Sequence, residues 1–187
     1  LLSEKININI NQSFFFTNIS KPVFDSSSTA NVVSPINANN GLQTKGLQTY
    51  ARISYSSFEL YMGYVFTDVT KLYDTKHPTL IVTPRHNFSA TFLYEPVDQW
   101  RFGIESALIA GQVNQNYEPV KNYFLFAAMI QLKIDRLTFV LNGENLLDFR
   151  QNSYEKIYDG TVGNPIFHKL WAPIDGRVAN LSITWKL

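Results

Sequence analysis

Apolar and polar residues alternate along most of this chain. In the last segment Ala179, Leu181, Ile183, Trp185 and Leu187 fall on one side, and Asn180, Ser182, Thr184 and Lys186 on the other. That period of two marks a strand with two unlike faces. Upstream, Leu137, Phe139 and Leu141 oppose Thr138, Asn142 and Glu144, and Trp100, Phe102, Ile104 and Leu108 oppose Arg101 and Glu105. Four more segments follow the rule: Phe88, Ala90, Phe92, Tyr94; Phe58, Leu60, Met62, Tyr64, Phe66; Leu47, Thr49, Ala51, Ile53, Tyr55; and Ile6, Ile8, Ile10 against Asn7, Asn9, Asn11. Tyr123 to Ile134 is less clean, because Leu125, Ala127 and Met129 share its polar side. The pattern predicts about eight strands, near residues 4–18, 43–55, 58–69, 85–95, 99–110, 121–134, 136–147 and 176–187.

Most of these runs reach about ten residues, beyond the five or six usual in soluble domains and close to the 9–11 that a tilted strand needs to cross a bilayer. The connections alternate in length. Ser20 to Gly41, Thr70 to Pro84, Gly111 to Val120 and Asp148 to Ile174 are long, whereas Ser56–Ser57, Pro96 to Asp98 and Asp135–Arg136 are tight. Outer-membrane barrels have this asymmetry, with short periplasmic turns and longer external loops. A soluble β-sandwich is the competing architecture, but its inner faces bury against a second sheet. Here the polar side carries Arg52, Glu59, Arg101, Glu105, Lys133 and Glu144, which suits the wet lumen of a barrel. Tyr55, Phe58, Tyr94, Trp100 and Trp185 lie near strand ends, where a barrel carries its interfacial aromatic girdle.

Composition adds mostly exclusions. The 187 residues are 45% hydrophobic and 14% aromatic, enough for one sizeable domain. Lys and Arg exceed Asp and Glu by one, 16 against 15, so there is no general basic field for nucleic acid. No cysteine occurs, which excludes disulfides and thiolate metal sites. No uncharged apolar run approaches the length of a membrane helix. The chain opens on Leu1 without a leader pattern, and is expected to be a piece of something longer. Because an open sheet edge in lipid leaves amides unpaired, the last strand is expected to meet a first strand and close the wall.

The alternating finish is similar to the C-terminal signature of bacterial outer-membrane proteins read by the barrel assembly machinery, although Leu187 stands where that signature has an aromatic. "ENLLDFRQ" (Glu144 to Gln151) and "WAPIDGR" (Trp171 to Arg177) resemble the end of TonB-dependent outer-membrane receptors, particularly those of Bacteroidetes. "TPRHNFSATFLYEP" and "QWRFGIES" look like strands of the same family, and the likeness runs from about Phe58 to Leu187. The resemblance implies an all-β, antiparallel transmembrane barrel of 22 strands closed by an N-terminal plug. Residues 1–187 would supply roughly its last eight strands as the C-terminal segment, with the plug and earlier strands outside this sequence. It further implies import of a scarce ligand such as a siderophore or other metal chelate, an oligosaccharide or a peptide, powered by a TonB–ExbB–ExbD complex acting on the plug, a surface lipoprotein as a partner, and residence in the bacterial outer membrane.

Catalytic patterns are few. His77, His86 and His168 are far apart, without metalloprotease spacing, and no nucleophile elbow or phosphate loop is present. Glu144 and Asp148 would stand about 13 Å apart along an extended strand, too far for paired acid–base work. No catalytic residue, metal site or cofactor is therefore assigned, and the expected role is transport rather than catalysis. Specificity should reside in loops held by the rigid wall. "TKLYDTKHPTLIVTPRH" carries Lys71, Lys76, His77, Arg85 and His86 against only Asp74, a basic surplus suited to an anionic substrate such as a metal-loaded siderophore, or to lipopolysaccharide phosphates. "DFRQNSYEKIYDGTVGNPIFHKLWAPID" is rich in aromatics, including Tyr154, Tyr158, Phe167, His168 and Trp171. The candidate ligand contacts are thus Tyr73, Lys76, His77, Tyr117, Tyr154, Tyr158, His168 and Trp171. Within "WAPIDGR", Pro173 suits the beginning of a strand, Asp175–Gly176 reads as a turn, and Arg177 should open the closing strand.

Two other readings stay open at this level. One is a standalone eight-stranded outer-membrane protein with a structural or adhesive role, since such a barrel can close by itself. The other is a soluble β-sandwich binding module.

Overall fold

The computed structural model describes residues 5–26 and 34–186. Leu1, Glu4 at the start of the first expected strand, and Leu187 at the end of the last, lie outside the described residues. The described elements are β1 (Asn7–Ile19), β2 (Val23–Asp25), β3 (Pro35–Asn37), β4 (Leu42–Tyr55), β5 (Phe58–Lys71), β6 (His86–Val97), β7 (Trp100–Ala110), β8 (Tyr123–Ile134), β9 (Leu137–Glu144), β10 (Tyr158–Thr161), β11 (Asn164–Phe167) and β12 (Val178–Trp185), with one 3-10 turn at Gln151–Ser153. Eight of the strands form one antiparallel sheet in the order β1-β4-β5-β6-β7-β8-β9-β12, and β2–β3 and β10–β11 are separate hairpins. The architecture is all-β, as the alternation predicts.

The register explains why alternation reads so cleanly. Partners across an antiparallel ladder share a face, so each ladder carries the apolar set of one strand onto that of the next. Ile10 stands opposite Ala51, Ala51 opposite Met62, Met62 opposite Ala90, and Ala90 opposite Ser106. Farther along, Ile104 meets Ala128, Ile130 meets Leu141, and Leu141 meets Leu181. One face is therefore apolar from edge to edge, and every charge expected on the polar side lies on the other. There Arg52 bonds Glu59 at 2.5 Å and Arg101 bonds Glu95 at 2.6 Å.

The tight connections gather at one end. Ser56 and Asp135 open their hairpins at φ 51° and 49°, left-handed values that short polar side chains tolerate. Between β6 and β7 the register shifts between Tyr94 and Val97, and Pro96, which has no amide proton to give a ladder, lies in that irregular stretch. At this same end Phe58 stacks on Tyr94 (4.4 Å between centroids), Tyr94 on Phe102 (6.2 Å) and Trp100 on Phe102 (5.7 Å), so three of the five aromatics expected near strand ends join one row. Gly46 shows how tightly β1, β4 and β5 approach. A Cβ there would stand 2.1 Å from the Phe66 carbonyl and 2.5 Å from the Phe15 ring, and Phe15, its ladder partner, covers it.

Among the described residues no second sheet covers the apolar face. Among the described residues the buried hydrophobic side chains are Ala38, Tyr123, Trp171 and Ala172, whereas Phe14 is 78% exposed, Leu181 64% and Trp185 65%. A β-sandwich would invert those figures, because its core lies between two sheets. Among the described residues β1 pairs with β4 alone and β12 with β9 alone, so the seam expected between a last and a first strand is not made within this sheet. Its two edges present open ladders.

Candidate functional site

The long connections all emerge at the end opposite the tight turns, and they touch one another in series. Asn40 Nδ2 donates to the Leu72 carbonyl at 3.3 Å, and Phe24 of β2 stacks on Tyr73 at 5.1 Å. The segment after β5 then meets the segment after β7: His77 stacks on Tyr117 at 4.2 Å, Val82 N donates to Val113 O at 2.8 Å, and Gln112 Nε2 donates to Val82 O at 3.0 Å. The segment after β7 in turn meets the one after β9, through Lys169 N on Gln115 Oε1 at 3.0 Å and Lys121 Nζ on the Tyr154 hydroxyl at 3.3 Å.

Lys71, on the polar face at the end of β5, is the hub of the first junction. Its Nζ is 3.0 Å from Asp74 Oδ2 and 2.9 Å from the Tyr117 hydroxyl, with the Tyr117 ring 4.9 Å away. Asp74 also accepts from the His77 amide at 3.0 Å. Hydrogen bonds from Lys71 first, and then from the His77 backbone, hold the Asp74 carboxyl below its ordinary range. The basic surplus read from the sequence is thus largely spoken for. Lys71 is buried against Asp74, Arg85 pairs with Asp68 at 2.8 Å, and His86 takes the Tyr64 hydroxyl at 2.8 Å. Charge counting missed this because Asp68 precedes the segment and Tyr117 lies on another loop. Lys76 remains exposed at the tip.

The stretch between β9 and β12 is folded rather than loose. Asn145 (φ 46°) accepts from the Phe149 amide at 3.0 Å and donates to the carbonyls of Phe149 (2.9 Å) and Asp175 (3.0 Å), while Arg177 Nε donates to Leu146 O at 2.9 Å. "ENLLDFRQ" and "WAPIDGR" are therefore two halves of one brace. Glu144 and Asp148 are not joined by extended chain, since Asp148 turns back (φ 56°) with its amide on Asn145 O at 2.8 Å. Nor does Gly176 make the expected turn, for its φ is not left-handed. A Cβ there would come 2.6 Å from Asp148 Oδ1, so a larger residue would have to displace that carboxylate.

Gln151 is the keystone. It is fully buried, its Oε1 accepts the amides of Trp171 (2.8 Å) and Ala172 (3.2 Å), and its Nε2 donates to Glu155 Oε1 (2.8 Å) and Lys169 O (3.3 Å). Trp171 is 4% exposed; its indole N–H donates to Glu155, and its carbonyl accepts the Tyr123 hydroxyl at 3.1 Å. Tyr123 and Phe149 stack at 4.7 Å beside it, and Tyr154 stacks on Phe149 at 4.9 Å. Tyr123 belongs to the polar face of β8, so this segment folds over that face. Beyond it the β10–β11 hairpin projects, with Tyr158 against Phe167 at 6.5 Å and Phe167 73% exposed.

His168 closes the base of that hairpin. Its Nε2 is 2.8 Å from Asp159 Oδ2 and its Nδ1 2.8 Å from the Lys156 carbonyl. Two acceptors face one ring, and only imidazolium donates to both. The bond to Asp159 is the main reason that the His168 pKa is raised. Beside it lies a cleft of about 180 Å³ lined by Asn114, Glu118, Glu155, Lys156, His168 and Lys169, both signs of charge within one polar recess. Asn114 shapes the far wall by accepting the amides of Asn116 (2.9 Å) and Glu118 (3.1 Å).

Of the residues expected to meet a ligand, His77 and Tyr117 stack on each other, Tyr73 stacks on Phe24 instead, and Lys76 stands exposed; Tyr154 and Trp171 pack with Phe149, while Tyr158 and His168 belong to the β10–β11 hairpin and its base. Gln151, Lys156, Asp159 and Lys169 were not singled out by sequence; a polar residue such as Gln151 gives no period to read, and its burial depends on contacts 18 to 21 residues away. Among the described residues no three His, Asp or Glu side chains converge as metal ligands.

No protein-family model matches the chain, and no curated protein matches it in sequence. Solved structures do. The ferric-catecholate import receptor Fiu from E. coli K12, in its closed form, superposes with a TM-score of 0.56 at 19% identity, over 76% of this chain and 21% of that one. The FrpB iron transporter from Neisseria meningitidis superposes with a TM-score of 0.63 at 13% identity, over 95% of this chain and 29% of that one. This chain spans less than a third of the length of either. Its fold is that of a stretch of outer-membrane receptor barrel wall.

Proposed function

We propose that this chain is the C-terminal part of the barrel of a TonB-dependent outer-membrane transporter, of the type the two brace motifs resemble in Bacteroidetes, importing a scarce ligand such as a ferric chelate. One observation carries the reading: a single-layer sheet, apolar on one face, puts all its long, mutually bonded loops at one end and matches part of the wall of two much longer iron-import proteins. The open edges of β1 and β12 favour this over a standalone eight-stranded barrel, because amides left unpaired in lipid cost several kcal/mol each. Neighbouring strands of a wider wall, plug and all, would satisfy them.

In this reading the loop groups around His77–Tyr117 and Tyr154–His168 face the outside and select the ligand. Energy comes from TonB–ExbB–ExbD through the plug. Expression of the full-length protein in an outer-membrane host lacking its own ferric-catecholate receptors, followed by uptake of radiolabelled ferric catecholate with and without TonB, tests it. TonB-dependent uptake is expected. Full-length protein absent from the outer membrane sinks the reading; outer-membrane protein that accumulates no label under either condition overturns the ligand class.

A further inference from the structure

The apolar face ends in a charged row on the loop side. Along β5 the outward residues from Phe58 to Phe66 cover about 27 Å at a rise of about 3.4 Å per residue, close to the roughly 25 Å apolar band of a membrane barrel. The next outward residue is Asp68, and its ladder partner is Lys45. Lys45 Nζ lies 3.4 Å from Asp68 Oδ2 and Arg85 Nη2 lies 2.8 Å from Asp68 Oδ1. Two cations share one carboxylate, which is 22% exposed, while the cations themselves are 66% and 52% exposed. Immediately inside the row are Phe14 at 78% exposure, Phe66 and the Tyr64–His86 pair, while Phe16, the ladder partner of Lys45, is 65% exposed at the level of the row itself. Cationic groups thus stand at the upper border of an apolar wall, above aromatic rings.

From this geometry we propose a binding site for the phosphorylated headgroup of an outer-leaflet lipid at Lys45 and Arg85, an inference that rests on the membrane reading of the wall. Asp68 engages one guanidinium nitrogen and orients the fork, leaving Nε and Nη1 for phosphate oxygens in the planar geometry that arginine favours. Lys45 keeps two of its three N–H donors and reaches the same level as a point charge. The acyl chains lie on Phe14, Phe16 and Phe66, so one molecule satisfies both halves of the border. A free anion would leave those rings uncovered. Arg85 belongs to the basic surplus of the loop, and Asp68 draws it beside Lys45 of β4 at the border of the wall.

The test is native mass spectrometry of the purified full-length protein in detergent, with bis-phosphorylated lipid A, a diacylglycerol or inorganic phosphate added. Wild-type protein should retain lipid A well above diacylglycerol. K45Q/D68N/R85Q, which leaves no orphaned carboxylate, should lose lipid A retention by about tenfold or more. R85K keeps the charge, without the fork, and should lose less, and K133Q, on the polar face at the far end, should match wild type. Equal retention by wild type and the triple variant overturns the site while leaving the membrane reading intact, and so does displacement of lipid A by millimolar phosphate. A protein that stays soluble without detergent and holds no lipid overturns the membrane reading as well.

Discussion

The wall and the segment folded over it use the same residue types in opposite ways. On the wall, Phe14, Leu141 and Trp185 are 78%, 52% and 65% exposed and carry the apolar face outward. In the segment between β9 and β12, Trp171 is 4% exposed, packed with Phe149 and with Tyr123 of β8 (7% exposed) beside the buried amide of Gln151. The wall is held by its ladders and leaves its apolar surface uncovered, whereas the segment builds a small core against the polar face of the wall. Stability in one depends on the solvent, and in the other on packing.

That difference can be broken from either side. The largest effect is expected from Trp171→Ala, which empties the core of the segment at a cost of about 3–5 kcal/mol. Hydrogen exchange should rise across 148–174 while the ladders of β4 to β8 stay protected. Unchanged exchange in that stretch would show that the brace alone holds it. Leu141→Arg comes next: in the middle of the apolar face it should cost about 2–4 kcal/mol in lipid, seen as a smaller fraction of heat-resistant folded protein after insertion into vesicles. An equal fraction for the variant and wild type would mean that this face does not meet lipid.

The smallest effect concerns His168. Its folded pKa is raised by Asp159, so its contribution is complete at pH below the ordinary histidine value and is lost as the pH rises through the folded value. Asp159 is 59% exposed, so salt weakens the pair. Protease nicking within the β10–β11 hairpin should increase toward alkaline pH in wild type and be nearly pH-independent in His168→Gln. The opposite trend in wild type would place the latch elsewhere.

The same comparison explains what could be read from sequence. The eight wall strands were legible because each has an apolar and a polar face, and period two survives wherever both faces keep their surroundings. β8 blurred the pattern. Leu125, Ala127 and Met129 line recesses on the polar face, and the recess that holds Leu125 and Ala127 is shared with Pro173 and Asp175 of the folded-over segment, so that face is partly covered by protein. β2, β3, β10 and β11 are three or four residues long, shorter than any alternation can reveal. The loop groups were half legible. His77, Tyr117, Tyr154 and His168 stood out as chemistry-bearing types, but His77 and Tyr117 meet only across two loops, Tyr154 takes Lys121 from another, and no local pattern announces Gln151 or the Lys45–Asp68–Arg85 row.

The brace has a consequence for how such a wall can vary. Loop closure normally becomes entropically harder as a connection lengthens. Here Asn145 and Arg177 tie the two ends of the excursion together at its neck, on Asp175 O and Leu146 O, so β12 meets β9 across what amounts to a short hairpin. Everything beyond the neck is then free to grow, shrink or exchange its side chains without loosening the ladder beneath it. A wall built this way can change the excursion above it without having to relearn how to stand.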